Sequence, residues 1–172
     1  MTLQTIEGDS TFVKELLTDG KCDIAFLRSE SSSVKEFNSI PYMIDYLTAV
    51  LPATHPLAKA DNLPFEQLRG ETFLLFPEHS FINDLCIREC RNAGFEPHIA
   101  YTGNRGATLI DLVRNGAGIT LMMHHSARQE NDSSLAFIPV TPGIYSYISL
   151  NYAKEKPLSP QAVKLCTLCQ GA

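Results

Sequence analysis

The chain has 172 residues, 44% hydrophobic and 19% charged, a balance that buries one sizeable core or two small ones and excludes a disordered chain. Its formal net charge is -5 and its Lys and Arg residues are not clustered, so it has no electrostatic footprint for gripping nucleic acid on its own. The longest apolar runs, such as ITLMM at 119–123, are far too short to span a bilayer, and the opening MTLQT is not a basic segment followed by an apolar one. A cytoplasmic protein with no membrane contact is the expectation.

Residues 3–7 read as a short strand. The following Gly8, Asp9, Ser10 and Thr11 offer Asp9 or Ser10 as the N-cap of a helix with Phe12, Val13, Leu16 and Leu17 on one face, which Gly20 ends. Residues 22–27 form an apolar run of strand length. Strand, helix and strand thus follow one another in the order of a parallel βαβ unit, and a parallel sheet is expected. Residues 28–39 are polar and serine-rich, a loop, and 42–52 form a longer extended stretch that runs into ATHPLA at 53–58.

The second half repeats this grammar. A strand at 72–76, a helix at 80–93 closed by Gly94, a strand at 98–102, a helix at 106–114 and a strand at 118–122 follow in turn. Extended segments at 135–140 and 145–153 precede a last helix, with Ser159 as N-cap and Pro160 as its first residue. There is no internal repeat and no low-complexity tail. The alternation predicts the α/β class, and polar breaks near 52–62 and 141–143 set a middle block apart from its flanks.

Four segments, in this order, resemble the regulatory domain of LysR-type transcription regulators. They are EGDS at 7–10 with LLTDGKCDIA at 16–25, LPATHPLA at 51–58, LRGETFLLF at 68–76 with Ser80 shortly after, and LVRNGAGI at 112–119. Each also has a reading of its own. Gly116 and Gly118 punctuate a tight helix-to-strand connection, and His55 before Pro56 holds the backbone extended, as a rigid crossing segment requires.

The resemblance implies a type II periplasmic-binding-protein-like fold: α/β, with two small Rossmann-like lobes joined by two crossover strands. Lobe I would be residues 1–51 plus 144–172 and lobe II residues 52–143, with a small-molecule effector, an organic acid or an amino acid, in the cleft. It also implies side-by-side homodimers or tetramers, with the helix near residues 10–19 at the contact. DNA would be touched only by an upstream winged helix-turn-helix. The start departs from the pattern: the first strand and helix of lobe I are expected to be missing, leaving sheet edges exposed.

In open α/β sheets ligands settle at strand carboxyl ends, against helix N-termini. Three strand-to-helix loops meet that description, and the resemblance places effector contacts in the same loops. The candidates are Asp9 and Ser10 in the first, His79, Ser80 and Phe81 in the second, and Thr102, Asn104 and Arg105 in the third. Ser10, Ser80 and Thr102 would offer hydroxyls, Asn104 a two-pronged polar contact, and Arg105 a partner for a carboxylate. Ser10 and Ser80 are equally explained as helix caps. Asp9 and Glu78 would instead suit an amine, so the charge of the effector stays open.

No cofactor, metal or catalytic residue is expected. There is no GxSxG elbow, phosphate loop or HExxH, so catalysis ranks below binding. The cysteines Cys22, Cys86, Cys90, Cys166 and Cys169 are odd in number and come without a secretion signal, so disulfides are not expected. Cys86 with Cys90 and Cys166 with Cys169 are each a helical turn apart, which keeps a thiol-redox or metal-sensing domain as the alternative; core packing accounts for them as well. His124 and His125 point apart on a helix and read as surface residues. A transporter's solute receptor, which shares the architecture, is the further alternative.

Overall fold

The computed structural model describes residues 4–127 and 132–170. The elements are α1 (Ser10–Thr18), β1 (Ala25–Ser29), β2 (Phe37–Pro52), β3 (Leu63–Pro64), β4 (Thr72–Leu75), α2 (Phe81–Asn92), β5 (His98–Thr102), α3 (Gly106–Arg114), β6 (Thr120–Met123), α4 (His124–Ala127), β7 (Leu135–Thr141), β8 (Tyr145–Ala153) and α5 (Pro160–Gln170). Two 3-10 turns, Pro56–Lys59 and Phe65–Leu68, flank β3. The chain divides into two compact units, residues 1–44 with 146–172 and residues 45–145, and β2 and β8 run through both divisions.

In the second unit, β4, β5 and β6 run parallel. β4 pairs with β5, and a bridge from Phe73 to Ile119 leads toward β6. β6 and β7 flank β2 antiparallel, and β3 adds to β7. The central strands β4 and β6 are buried on both faces, and their successive residues feed opposite cores, while β5 at the edge is exposed along its length. Phe73 and Leu75 pack with Leu85, Cys86 and Cys90 of α2, while Leu74 and Met122 pack with Leu109, Ile110 and Val113 of α3. A three-layer α/β sandwich results, because each helix presents one apolar stripe and each central strand two apolar faces.

The first unit is organised differently from the expected parallel βαβ start. Residues 4–9 carry no strand, and Leu3 lies outside the described residues. β1 pairs antiparallel with β8, Ala25 opposite Asn151 and Ser29 opposite Tyr147, so the partner of this strand comes from the far end of the chain. The apolar stripe of α1 covers one side of it: Leu17, Ala25, Leu27 and Phe37 form a small core, with Val13, Cys22 and Val34 against it. Between the strands, buried Asn151 donates to the Ser149 carbonyl at 2.8 Å and accepts from the Ser39 hydroxyl at 2.7 Å. These bonds satisfy its amide where an unpaired group would cost about 1–3 kcal/mol.

Candidate functional site

The loop from β4 to α2 is held by the sequence PEHSFIN at 77–83. Ser80 caps α2: its hydroxyl accepts from the Asn83 amide at 3.3 Å and donates to the Pro77 carbonyl at 2.7 Å. Asn83, buried on the inner side of the helix, sends its side-chain amide back to the Phe76 carbonyl at 2.8 Å. The turn this closes sets His79 at φ 65°, a left-handed conformation that few residues other than glycine adopt. His79 and Glu78 are exposed, and Phe81 is half-buried against the α2 core. Ser80 thus has its proton committed to Pro77 and keeps only acceptor capacity for a ligand.

The loop from β5 to α3 lies beside it. The Gly103 amide donates to the Leu75 carbonyl at 3.0 Å, which ties the carboxyl ends of the two parallel strands together. Thr102, Asn104 and Arg105 are exposed. Arg105 stands at the N-cap position of α3 with no side-chain cap bond, whereas α2 is capped by Ser80. The second and third candidate loops are therefore neighbours within one unit, one self-satisfied and the other open.

The Asp9 and Ser10 loop belongs to the first unit. Asp9 is the cap that the sequence left open between two residues: Oδ1 accepts from the Thr11 and Phe12 amides, each at 2.9 Å. The Ser10 hydroxyl has no partner among the described residues. Phe12 folds back over Gly8, where a Cβ would sit 2.4 Å from the ring.

Several polar groups outside these loops have structural partners. His124 is half-buried rather than on the surface: its ring stacks on Tyr46 at 4.3 Å and meets the Thr48 hydroxyl at 3.3 Å, while His125 is exposed. Asp45, buried beside them, accepts from the Tyr46 and His125 amides. A depression of about 230 Å³ at the other end of β4 is lined by His55, Glu71, Thr72 and residues 116–119, away from the candidate loops. Among the described residues no group of three or more His, Cys, Asp or Glu could hold a metal.

The Cys86 and Cys90 thiols are poorly suited to redox sensing. Burial, with Cys90 and Glu89 adding to it, pushes the Cys86 thiol well above its usual range. Burial, then Glu96 and Glu89, pushes Cys90 up to about 12. The neighbouring cations do not counter this, since Arg88 pairs with Glu89 and Arg91 with Glu96. A reactive thiol needs the opposite environment. Asn83 is the residue that sequence reasoning passed over; its signal was a polar residue three places after a cap, on a helix face otherwise apolar.

The LysR substrate binding domain model matches residues 1–172. The transcriptional dual regulator GltC of Bacillus subtilis (strain 168) is 26% identical over 157 residues, 91% of this chain and 52% of that protein. The HTH-type transcriptional regulator CatR of Pseudomonas putida is 31% identical over 157 residues, 90% of this chain and 53% of that protein. The chain spans about half the length of the curated relatives it matches. The regulatory domain of Synechocystis PCC6803 CcmR, solved in complex with 2-PG, superposes with a TM-score of 0.84 at 14% identity, over 95% of this chain and 79% of that one. That likeness is one of fold, the mixed α/β, type II periplasmic-binding-protein-like class of LysR regulatory domains. The relatives are transcription regulators rather than enzymes, and no helix among the described residues is long and apolar enough to cross a membrane. With the family model matched from end to end, the chain belongs to the LysR substrate-binding domain family.

Proposed function

We propose that this chain is the effector-binding part of a cytoplasmic LysR-type transcription regulator, that it binds a small organic acid or amino acid, and that it catalyses no reaction. The observation that carries the reading is the tie between Gly103 and Leu75, which sets two strand-to-helix loops side by side at the carboxyl ends of parallel strands. Ligands of open α/β sheets bind at such a place. His79, Ser80, Phe81, Thr102, Asn104 and Arg105 are the proposed contacts there. Asp9 and Ser10 are a separate candidate contact in the first unit. In the full-length regulator, DNA would be read by another part of the protein, and this domain would self-associate as a homodimer or tetramer. An effector shifts such a domain between states only by its differential affinity for them.

A thermal-shift screen of the chain against small carboxylates and amino acids, with Arg105→Ala beside it, tests the reading. A ligand present at about 100 times its Kd adds roughly 2.7 kcal/mol of stability, a readily measured rise in Tm. A rise that the variant loses supports the site; a chain that responds to zinc or peroxide and to no organic ligand sinks it.

A further inference from the structure

β5 carries an irregular step beside an exposed tyrosine. Phe73 of β4 is paired with Ile99, but the next residue, Leu74, is paired with Tyr101, so Ala100 is an extra residue in the edge strand. One extra residue turns everything after it to the opposite face of a sheet. Ile99 thereby shares the side of Phe73, which packs on α2, whereas Tyr101 shares the side of Leu74, which packs on α3. Regular pairing would have placed Tyr101 opposite Leu75, on the α2 side. Bulges of this kind re-aim side chains next to sites.

The re-aimed ring lies against Gly103: a Cβ there would sit 2.7 Å from the Tyr101 Cε1 and Oη atoms. Gly103 is not in the left-handed region, so what a side chain at this position would meet is the Tyr101 ring. Tyr101 therefore rests on the residue whose amide ties the two candidate loops, and it remains 40% exposed. A tyrosine ring has only two side-chain torsions and loses little freedom when a second flat group stacks on it. Next to this loop is an uncommitted charge. Arg28, Arg69, Arg88, Arg91 and Arg114 all have partners, and Arg105 alone of the described arginines has none.

We propose that Tyr101 is a specificity-determining residue of the effector site, a stacking platform that with Arg105 selects aromatic carboxylates over aliphatic ones. This rests on the effector-site reading above. Isothermal titration of the 172-residue chain with benzoate, cyclohexanecarboxylate, succinate and benzylamine tests it. The variants are Tyr101→Phe, Tyr101→Leu and Arg105→Ala, each first checked for an unchanged melting temperature. Tyr101→Leu keeps apolar bulk over Gly103 and removes only the ring, so it separates stacking from packing. The expected result is benzoate binding that falls at least tenfold in Tyr101→Leu and in Arg105→Ala and less than threefold in Tyr101→Phe, with cyclohexanecarboxylate and benzylamine weaker than benzoate. Benzoate affinity within twofold of the parent in Tyr101→Leu, or equal affinity for cyclohexanecarboxylate, overturns the inference. Succinate binding that is lost in Arg105→Ala, without benzoate binding, overturns it while the effector site stands. If none of the four ligands binds, the inference falls, and the effector-site reading falls with it when the carboxylates and amino acids of the thermal-shift screen also leave the melting temperature unchanged.

Discussion

His55 and Glu71 are joined by a hydrogen bond of defined direction. His55 Nδ1 accepts from the Leu57 amide at 3.2 Å, so the ring proton sits on Nε2 and faces Glu71 Oε2, 3.3 Å away. One side chain thus caps the 3-10 turn Pro56–Lys59 and fastens it to the residue that precedes β4. The histidine of the HPLA segment is a structural clasp at the far end of β4 from the candidate loops. His55→Ala is expected to lower stability by about 1–2 kcal/mol, the worth of a cap and a partly screened polar contact. The urea midpoint measures the loss. Affinity for any ligand of the loops at 77–81 and 102–105 should stay unchanged, and a variant that lost affinity without losing stability would contradict the clasp.

Asn83 should behave in the opposite way. Its amide holds the Phe76 carbonyl at 2.8 Å from a buried position, and removing it leaves that carbonyl without its partner. Asn83→Ala is expected to cost about 1–3 kcal/mol and to loosen the His79 turn. Stability by chemical denaturation and ligand affinity by titration should fall together.

How much of this was legible in the sequence depends on the range of the interaction that decides each feature. β5, α3 and β8 lie where periodicity and the glycine and capping signals put them, because those signals are local. Strand direction in the first unit was not legible. β1 finds its partner at Asn151, and nothing near Ala25 announces that. The short 3-10 turns were missed for a related reason, since His55 and Glu71 must meet before the first of them is fastened. The cap at Ser80 could be read directly. The tie from Gly103 to Leu75 and the ring of Tyr101 against Gly103 could not, since both rest on the pairing of β4 with β5.

The left-handed His79 gives a test of backbone strain. A non-glycine residue at φ 65° costs of order 1 kcal/mol, less for His than for a β-branched residue. His79→Gly relieves that cost but adds freedom to the unfolded chain, so a net change within about 1 kcal/mol is expected. His79→Val should destabilise by roughly 1–3 kcal/mol. Thermal melts of the pair give the comparison, and equal stability of the two would show that the turn imposes no left-handed requirement.

Acid should weaken the contacts of Asp132 just ahead of β7. Asp132 accepts from the Ser134 amide and hydroxyl and from Arg114, which together hold its carboxyl at about 2, below the ordinary 3.8. A carboxyl lowered on folding contributes stability that is fully present above its unfolded value and is lost as pH falls toward the folded one. Asp132 should therefore contribute across neutral pH and lose its contribution between about pH 4 and pH 2. Asp132→Asn should flatten the dependence of the denaturation midpoint on pH in that window and leave its shape above pH 5 unaltered.

The cysteines supply the last test, because burial and thiol chemistry make the same demand there. Cys86 and Cys90 are fully buried in the α2 core and their thiols are pushed up, Cys90 to about 12, so neither access nor thiolate is present at pH 8. Cys22 and Cys169 are half-buried and should react first with a disulfide reagent such as 5,5′-dithiobis(2-nitrobenzoate). The Cys22 thiol is also raised, by burial and by Asp23, so its reaction should quicken as pH rises above 8. Cys86 and Cys90 should react only at the rate of unfolding and become fully accessible in denaturant. Mapping the labelled positions by mass spectrometry over time separates the two classes. Labelling of Cys90 as fast as Cys22 in the native chain would revive thiol sensing as the function of this domain, since a core cysteine has no other reason to be reached.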